Sequence, residues 1–122
     1  MFVKDIRNCK YFKAIDETTL CELLHPDKEV ENLKMNYSIA HAIIKPGESS
    51  KPHKLKTSSE IYYILEGTGT IFISDESLDI HPGQAIYIPP NSRQYIQNKG
   101  ISDLKFLCIV HPPWNNKDEE VE

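Results

Sequence analysis

Short runs of strand-forming residues, separated by turn signals at regular intervals, constrain the fold of this chain most. Clusters of Pro, Gly, Asn and Asp mark turns repeatedly between residues 25 and 100. No twelve-residue window after residue 36 keeps a helical period without a Pro or Gly interruption. The pattern therefore predicts an all-β sandwich or barrel. The predicted strands are Tyr37–Ile44, Glu60–Leu65, Thr70–Ser74, Ala85–Ile88, Gln94–Gln97 and Leu104–Val110.

The two ends of the chain are less strongly patterned. Asp16–Leu24 fits a helix with Asp16 as N-cap, but the alternation of Leu20, Glu22 and Leu24 favours a strand. The length of 122 residues suits one domain. We therefore predict a single domain over 1–122, with a core barrel at about 37–113, N-terminal strands in 1–36 and an acidic tail in 114–122. We expect this tail to be solvated and to carry no chemistry.

The net charge limits the classes of binding partner to expect, and the cysteines indicate the cellular compartment. Lys and Arg (14) against Asp and Glu (18) give a net charge of −4, which disfavours nucleic acid and anionic membranes as partners. Charged residues interrupt every apolar run in Met1–Lys13, so we expect neither a signal peptide nor a spanning segment there. The three cysteines are far apart and odd in number, which favours reduced, buried thiols and a cytoplasmic protein.

The strand at Glu60–Leu65 carries a carboxyl group in apolar surroundings. Strand periodicity places Glu60, Tyr62 and Ile64 on one face, and the alternate residues on the other. An inward carboxylate is costly unless a cation, a proton or a hydrogen-bond partner accompanies it. His53 lies seven residues upstream and is a natural candidate for the same site.

Two segments resemble the two conserved motifs of the cupin superfamily. The first is the series Gly47, five residues, His53, one residue, Leu55, four residues, Glu60, six residues and Gly67. The second runs from Gly83 to Asn98 and includes Pro89, Pro90, Asn91 and Gln94. Leu55 and Gln94 stand where the family usually has histidines. The stretch Thr68–Pro82 between the motifs is expected to form a hairpin.

The resemblance implies a small single-domain cupin of the cupin 2 type, with a double-stranded β-helix, or RmlC-like jelly roll. Such proteins usually hold a divalent metal on three histidines and a glutamate. Here His53, Glu60 and, through its amide oxygen, Gln94 would hold the ion, which could be zinc, iron, nickel or manganese. The alternative is a metal-free site, in which Glu60 and Gln94 hydrogen-bond each other or a ligand.

Two further residues are candidates for proton transfer. Tyr62 shares the face of Glu60 and would lie beside a ligand at the metal. His41, in the middle of its strand, could enter the barrel and replace a missing imidazole, although a hydrogen-bonded core or edge histidine fits equally. The other histidines, His25, His81 and His111, each precede a proline and are expected in exposed turns.

The resemblance leaves the function open between two classes. The first is a small metal-binding enzyme for a small anionic or sugar-like metabolite, with isomerase-type or lyase-type chemistry. Lysines flanking His53 favour an anionic ligand in either class; they are Lys45, Lys51, Lys54 and Lys56. The second is a ligand-binding or sensing cupin without catalysis, which the missing histidines favour. A homodimer, paired through barrel faces or N-terminal strands, is expected in both.

Overall fold

The computed structural model describes all residues from Met1 to Glu122, and its regular secondary structure is almost entirely β-strand. Two 3-10 turns, Ile6–Asn8 and Asn116–Asp118, lie near the ends. The strands are β1 (Phe12–Lys13), β2 (Thr19–Leu24), β3 (Ser38–Ile44), β4 (His53–Leu55), β5 (Ser59–Glu66), β6 (Gly69–Ile73), β7 (Glu76–Ile80), β8 (Ala85–Ile88), β9 (Gln94–Gln97), β10 (Leu104–His111) and β11 (Glu119–Val121). All six strands predicted from the sequence form, as does the strand expected within 16–24.

The strands form two antiparallel sheets that enclose one apolar core. The first has the order β1-β2-β3-β10-β5-β8, and the second has the order β11-β4-β9-β6-β7. The predicted hairpin between the two motifs is the β6–β7 pair, in which Gly69 faces Ile80. This arrangement confirms the predicted all-β jelly-roll fold. No helix of the structure has the length and apolar character that crossing a membrane requires.

Alternation along β5 separates core from surface as predicted. Glu60, Tyr62 and Ile64 point inward and are each at most 7% exposed. Tyr63 and Leu65, on the opposite face, are exposed. The core consists of twelve buried apolar residues from both sheets: Ala40, Ala42, Ile44, Tyr62, Ile64, Ile71, Ile80, Ile88, Ile96, Leu104, Phe106 and Cys108. Glu60 is therefore a carboxyl group built into the wall of an otherwise apolar interior.

The C-terminal segment differs from the solvated tail that we expected. Residues of β11 pair antiparallel with β4, with Val121 opposite His53 and Glu119 opposite Leu55. The Asp118 carboxylate accepts hydrogen bonds from the Thr57 and Ser58 backbone amides and from the Thr57 hydroxyl. These bonds lower the pKa of Asp118. The expectation was wrong because backbone pairing with a distant strand fixes this charged segment.

The three cysteines are free thiols, as predicted. Cys21 and Cys108 are buried, whereas Cys9 is only half-buried. Burial raises the pKa of Cys108 well above its usual range and that of Cys9 to about 12. Both groups are therefore neutral thiols at physiological pH and are poor nucleophiles.

Gly67, the last residue of the first motif, has a backbone conformation that other residues rarely adopt. Its φ is 82°, and a Cβ atom there would overlap the Asp103 carbonyl oxygen and lie 2.9 Å from the Leu104 Cα. We expect Gly67→Ala to lower the melting temperature markedly. The substitution would strain the φ angle of residue 67 and would also force the backbone of Asp103 and Leu104 to move. Gly47→Ala is the matched control, since Gly47 has the same φ of 82° but open space around it. The control should cost only about 1 kcal/mol, typical of a left-handed residue. Equal melting temperatures for the two variants would contradict the packing argument.

Candidate metal and ligand site

A cavity with a volume of about 140 Å³ lies inside the jelly roll, between β4, β5 and the two terminal segments. More than half of the residues that line it are hydrophobic. Its polar lining is strongly acidic, with four carboxyl groups that belong to Asp16, Glu22, Glu60 and Glu119. The one lysine of the lining, Lys13, forms an ion pair with Glu48 at 3.6 Å. Glu22 pairs with Lys28 at 3.8 Å, so the carboxyl groups without a lysine or arginine partner are those of Asp16, Glu60 and Glu119.

His53 presents an imidazole nitrogen to this cavity. It begins β4, opposite Gln94 in β9, and is 4% exposed. Its Nδ1 lies 2.8 Å from the Lys51 carbonyl oxygen. Because a carbonyl can only accept, Nδ1 carries the proton of this hydrogen bond. In the neutral ring, Nε2 then holds a free lone pair, which is the form that binds a metal ion.

Asp16 faces that nitrogen from the loop between β1 and β2. Its Oδ1 accepts a hydrogen bond from the Thr18 backbone amide at 3.0 Å, and its Oδ2 accepts one from the Thr18 hydroxyl at 3.0 Å. Asp16 Oδ2 lies 3.5 Å from His53 Nε2, and both side chains are buried. With a neutral His53 ring, two atoms that bear lone pairs point at each other. A proton or a metal ion between them would remove the repulsion.

Glu119 completes this cluster from the C-terminal strand. The Trp114 indole Nε1–H donates to Glu119 Oε1 at 2.8 Å, and burial raises the pKa of Glu119. One potential ligand atom from each of Asp16, His53 and Glu119 lies within 4.8 Å of the other two. Sequence analysis did not identify the two acids. Asp16 was considered only as a helix cap, and nothing in the tail sequence indicates that it pairs with β4.

Glu60 lies in the same cavity, but Gln94 lies behind it. The Gln94 amide Nε2–H donates to Glu60 Oε1 at 3.1 Å. Burial raises the pKa of Glu60 to about 8, and the carboxylates of Asp16 and Glu119 act in the same direction. Gln94 is 1% exposed, does not line the cavity, and its Oε1 has no hydrogen-bond partner. The structure thus brings His53 and Glu60 together at the cavity. The NH₂ group of the Gln94 amide, and not its oxygen, faces Glu60.

The two candidates for proton transfer, Tyr62 and His41, lie on opposite faces of the first sheet. Tyr62 lines the cavity beside Glu60, and its ring packs on Phe106 with centroids 4.7 Å apart. Burial raises the pKa of Tyr62 well above 10, so the phenol stays protonated. His41 lies on the opposite face of β3 from Ala40 and does not line this cavity. Its Nδ1 is 2.7 Å from the Tyr11 hydroxyl, and burial lowers the pKa of His41.

Several charged or polar residues near the cavity have structural partners. Lys51 and Lys54, two of the lysines expected to attract an anion, form ion pairs of 3.6 Å with Glu17 and Glu120. The lysines that flank His53 in sequence do not line the cavity. His25 is 2% exposed, contrary to the exposed turn we expected. Its Nε2–H donates to the Trp114 carbonyl at 2.7 Å and so fixes the segment that carries Glu119.

Comparison with known proteins gives one family and several relatives. A family model for the cupin domain matches residues 40–110. An uncharacterized protein of Methanocaldococcus jannaschii is 41% identical over 108 residues, which are 87% of this chain and 82% of that protein. The oxalate-binding protein of Thermotoga maritima is 33% identical over 67 residues, which are 55% of each chain.

Solved structures share the same fold at low sequence identity. A predicted oxalate decarboxylase of Thermotoga maritima superposes with a TM-score of 0.79 and 23% identity, over 91% of this chain and 99% of that one. The Streptomyces nucleoside dehydratase Pac13 superposes with a TM-score of 0.76 and 18% identity, over 100% of this chain and 91% of that one. At these identities the likeness concerns the fold.

Proposed function

The chain belongs to the cupin family, and we propose that it is a small metal-binding cupin whose cavity takes a divalent cation at His53 and a small metabolite beside it. One observation carries the proposal. His53 Nε2 faces the Asp16 carboxylate at 3.5 Å in a cavity lined by four carboxyl groups. A buried arrangement of this kind needs a positive charge between the two groups, and a divalent cation would supply it.

The available donors suit the ions expected from the family resemblance. His53 offers an imidazole nitrogen, and Glu60 offers a carboxylate oxygen from the usual position in the first motif. Nitrogen and oxygen donors together accommodate zinc, iron, nickel and manganese. Gln94 would join them only if its amide turned its unpartnered Oε1 toward the ion. A bound divalent ion would polarise a carbonyl, hydroxyl or carboxylate of the metabolite.

The residues beside the ion favour an enzyme with proton-transfer chemistry, of the isomerase or lyase type. A Glu60 carboxyl that does not ligate the ion has a pKa raised to about 8 by burial and is poised near neutral pH to give or take a proton. The Tyr62 phenol, which remains protonated, is placed to donate a hydrogen bond to a substrate oxygen. His41 has no part in this scheme unless it acts from the outer face of β3.

A ligand-binding cupin without catalysis is the second candidate. It is favoured by the oxalate-binding relative, which is 33% identical over 55% of this chain. It is also consistent with the absence of histidines at Leu55 and Gln94. In either function the acidic lining would repel a free anion, so an anionic metabolite would bind through the cation. The cavity volume of about 140 Å³ suits only a small molecule.

Elemental analysis tests the metal proposal. Wild-type protein, purified without a tag, is expected to carry close to one divalent ion per chain. His53→Ala should lose this ion because it removes the nitrogen ligand, whereas His81→Ala, in an exposed turn, should keep it. Chelator-treated wild type should regain one equivalent on adding metal. A folded wild type that neither carries nor regains a divalent ion would overturn the proposal.

The expected homodimer would form through the outward face of β5 and β8. Ile61, Tyr63, Leu65 and Tyr87 are each more than a third exposed there, and Ile61 pairs directly with Tyr87. A two-fold axis through this patch would bury the same side chains from both copies. Light scattering at micromolar concentration should give the mass of a dimer for the wild type and of a monomer for Tyr87→Lys. A monomeric wild type would refute the dimer.

A further inference from the structure

We infer that the carboxylate ligands of the cation are Asp16 and Glu119, which the two terminal segments bring to His53, rather than Glu60 and Gln94 of the family motifs. The inference rests on the proposed function, because it specifies the ligands of the same ion. Both of these carboxylates lie outside residues 40–110, the part of the chain that matches the cupin domain. Two carboxylates and one neutral imidazole would balance a divalent charge.

The spacing of the donor atoms fits one ion. Asp16 Oδ2 and His53 Nε2 are 3.5 Å apart, which is about the distance between two ligand atoms that share a tetrahedral ion with bonds of about 2.1 Å. One potential ligand atom of Glu119 lies within 4.8 Å of one from Asp16 and one from His53. An ion would draw the Glu119 carboxylate closer to the other two donors.

Each of the three side chains also makes a hydrogen bond through a second atom, as metal ligands usually do. The Lys51 carbonyl fixes the ring of His53 and leaves Nε2 free. The Thr18 backbone amide donates to Oδ1 of Asp16 and the Thr18 hydroxyl donates to Oδ2, which keeps lone-pair capacity for an ion. The Trp114 indole binds Oε1 of Glu119, and Oε2 remains available for an ion. These hydrogen bonds therefore hold the proposed ligand atoms in position before an ion binds.

The motif residues are less well placed. Glu60 does not belong to the group of donor atoms within 4.8 Å of one another, and Gln94 does not line the cavity but donates to Glu60 Oε1. Metal ligation by Gln94 would break that bond and require the amide to flip. His53 is 4% exposed, and the one side chain that its Nε2 pairs with is that of Asp16, at 3.5 Å.

Ligation by Asp16 and Glu119 has a mechanical consequence. Asp16 follows β1, and Glu119 begins the last strand, so a single ion would fasten both terminal segments to β4. Removal of the metal should then loosen these segments more than the rest of the sheets. Amide hydrogen exchange measures this effect without any knowledge of the substrate.

The test is a titration of metal-free protein with Co²⁺, followed by absorption spectroscopy and by amide hydrogen exchange. Asp16→Asn and Glu119→Gln should each weaken Co²⁺ binding at least tenfold, since each removes a charged ligand with little change of shape. Glu60→Gln should change the affinity less than threefold. Glu17→Gln and Glu120→Gln are matched controls, because each removes a neighbouring exposed carboxylate. Co²⁺ should slow exchange in residues 115–122 of the wild type at least tenfold, but not in Asp16→Asn.

The outcomes separate this inference from the proposed function. If wild type binds Co²⁺ and Glu60→Gln abolishes binding while Asp16→Asn and Glu119→Gln retain it, the inference is wrong and the metal-binding function stands. If wild type binds no Co²⁺, Zn²⁺ or Mn²⁺, both are wrong. Circular dichroism establishes that each variant is folded. Should Asp16→Asn not fold, Glu119→Gln decides, because its side chain comes from a three-residue terminal strand.

Discussion

Metal-free protein is expected to lose stability as the pH rises from about 5 to 8, and Glu60→Gln is expected to remove most of that loss. Burial raises the pKa of Glu60 from 4.5 to about 8. A carboxyl group with a raised pKa binds a proton more tightly in the folded than in the unfolded state. Its contribution to stability is therefore complete below about pH 4.5 and is lost as the pH rises through about 8. The full loss attributable to this group is about 5 kcal/mol.

Urea unfolding at several pH values measures this effect in chelator-treated protein. Glu22 and Glu119 also have raised pKa values and add to the slope in the wild type, so the informative quantity is the difference between wild type and Glu60→Gln. Glu120→Gln, which changes an exposed residue, should retain the wild-type slope. Parallel pH profiles for Glu60→Gln and the wild type would show that Glu60 ionises normally in the folded protein.

The second large effect is expected from Phe106, whose ring supports Tyr62. Phe106 is 1% exposed, and its ring centroid lies 4.7 Å from that of Tyr62. Phe106→Ala should lower the free energy of unfolding by about 3–5 kcal/mol, because it removes buried contacts and leaves a cavity. Tyr62 would also lose the packing that holds its phenol at the ligand cavity.

Phe72 provides the control for this substitution. Its ring is only half-buried and stacks on Tyr95 near the surface, with centroids 4.4 Å apart. Phe72→Ala should therefore cost clearly less than Phe106→Ala, about 1–2 kcal/mol in denaturant unfolding. If the two substitutions lower the free energy of unfolding by the same amount, the core is not centred on Phe106. Phe106 would then not be the residue that positions Tyr62.

The fold was predictable because its signals are local. Alternation along Glu60–Leu65 identifies the inward face, and turn residues delimit each strand. The same periodicity left His41 undecided, because a period of two separates the faces of a strand without saying which face is inside. In the structure the small residues Ala40 and Ala42 take the inner face of β3, and His41 contacts Tyr11 instead.

The site was only partly predictable, because half of it depends on long-range pairing. His53 and Glu60 lie within one motif, and the structure brings both to the cavity. Asp16 and Glu119 are 103 positions apart, and only the pairing of β11 with β4 and the loop after β1 bring them together. The acidic tail looked solvated because its composition alone contains no information about this partner. Gln94 has the right position in the motif, but its amide faces Glu60.

The central claim is that a divalent ion binds at His53 inside the cavity, and anomalous diffraction tests it most directly. Crystals grown with Co²⁺ or Zn²⁺, measured above and below the absorption edge of the metal, would show the position of the ion. One strong anomalous peak is expected about 2.1 Å from His53 Nε2, within bonding distance of the carboxylates of Asp16 and Glu119. A cavity without an anomalous peak in crystals soaked with saturating metal would contradict the account.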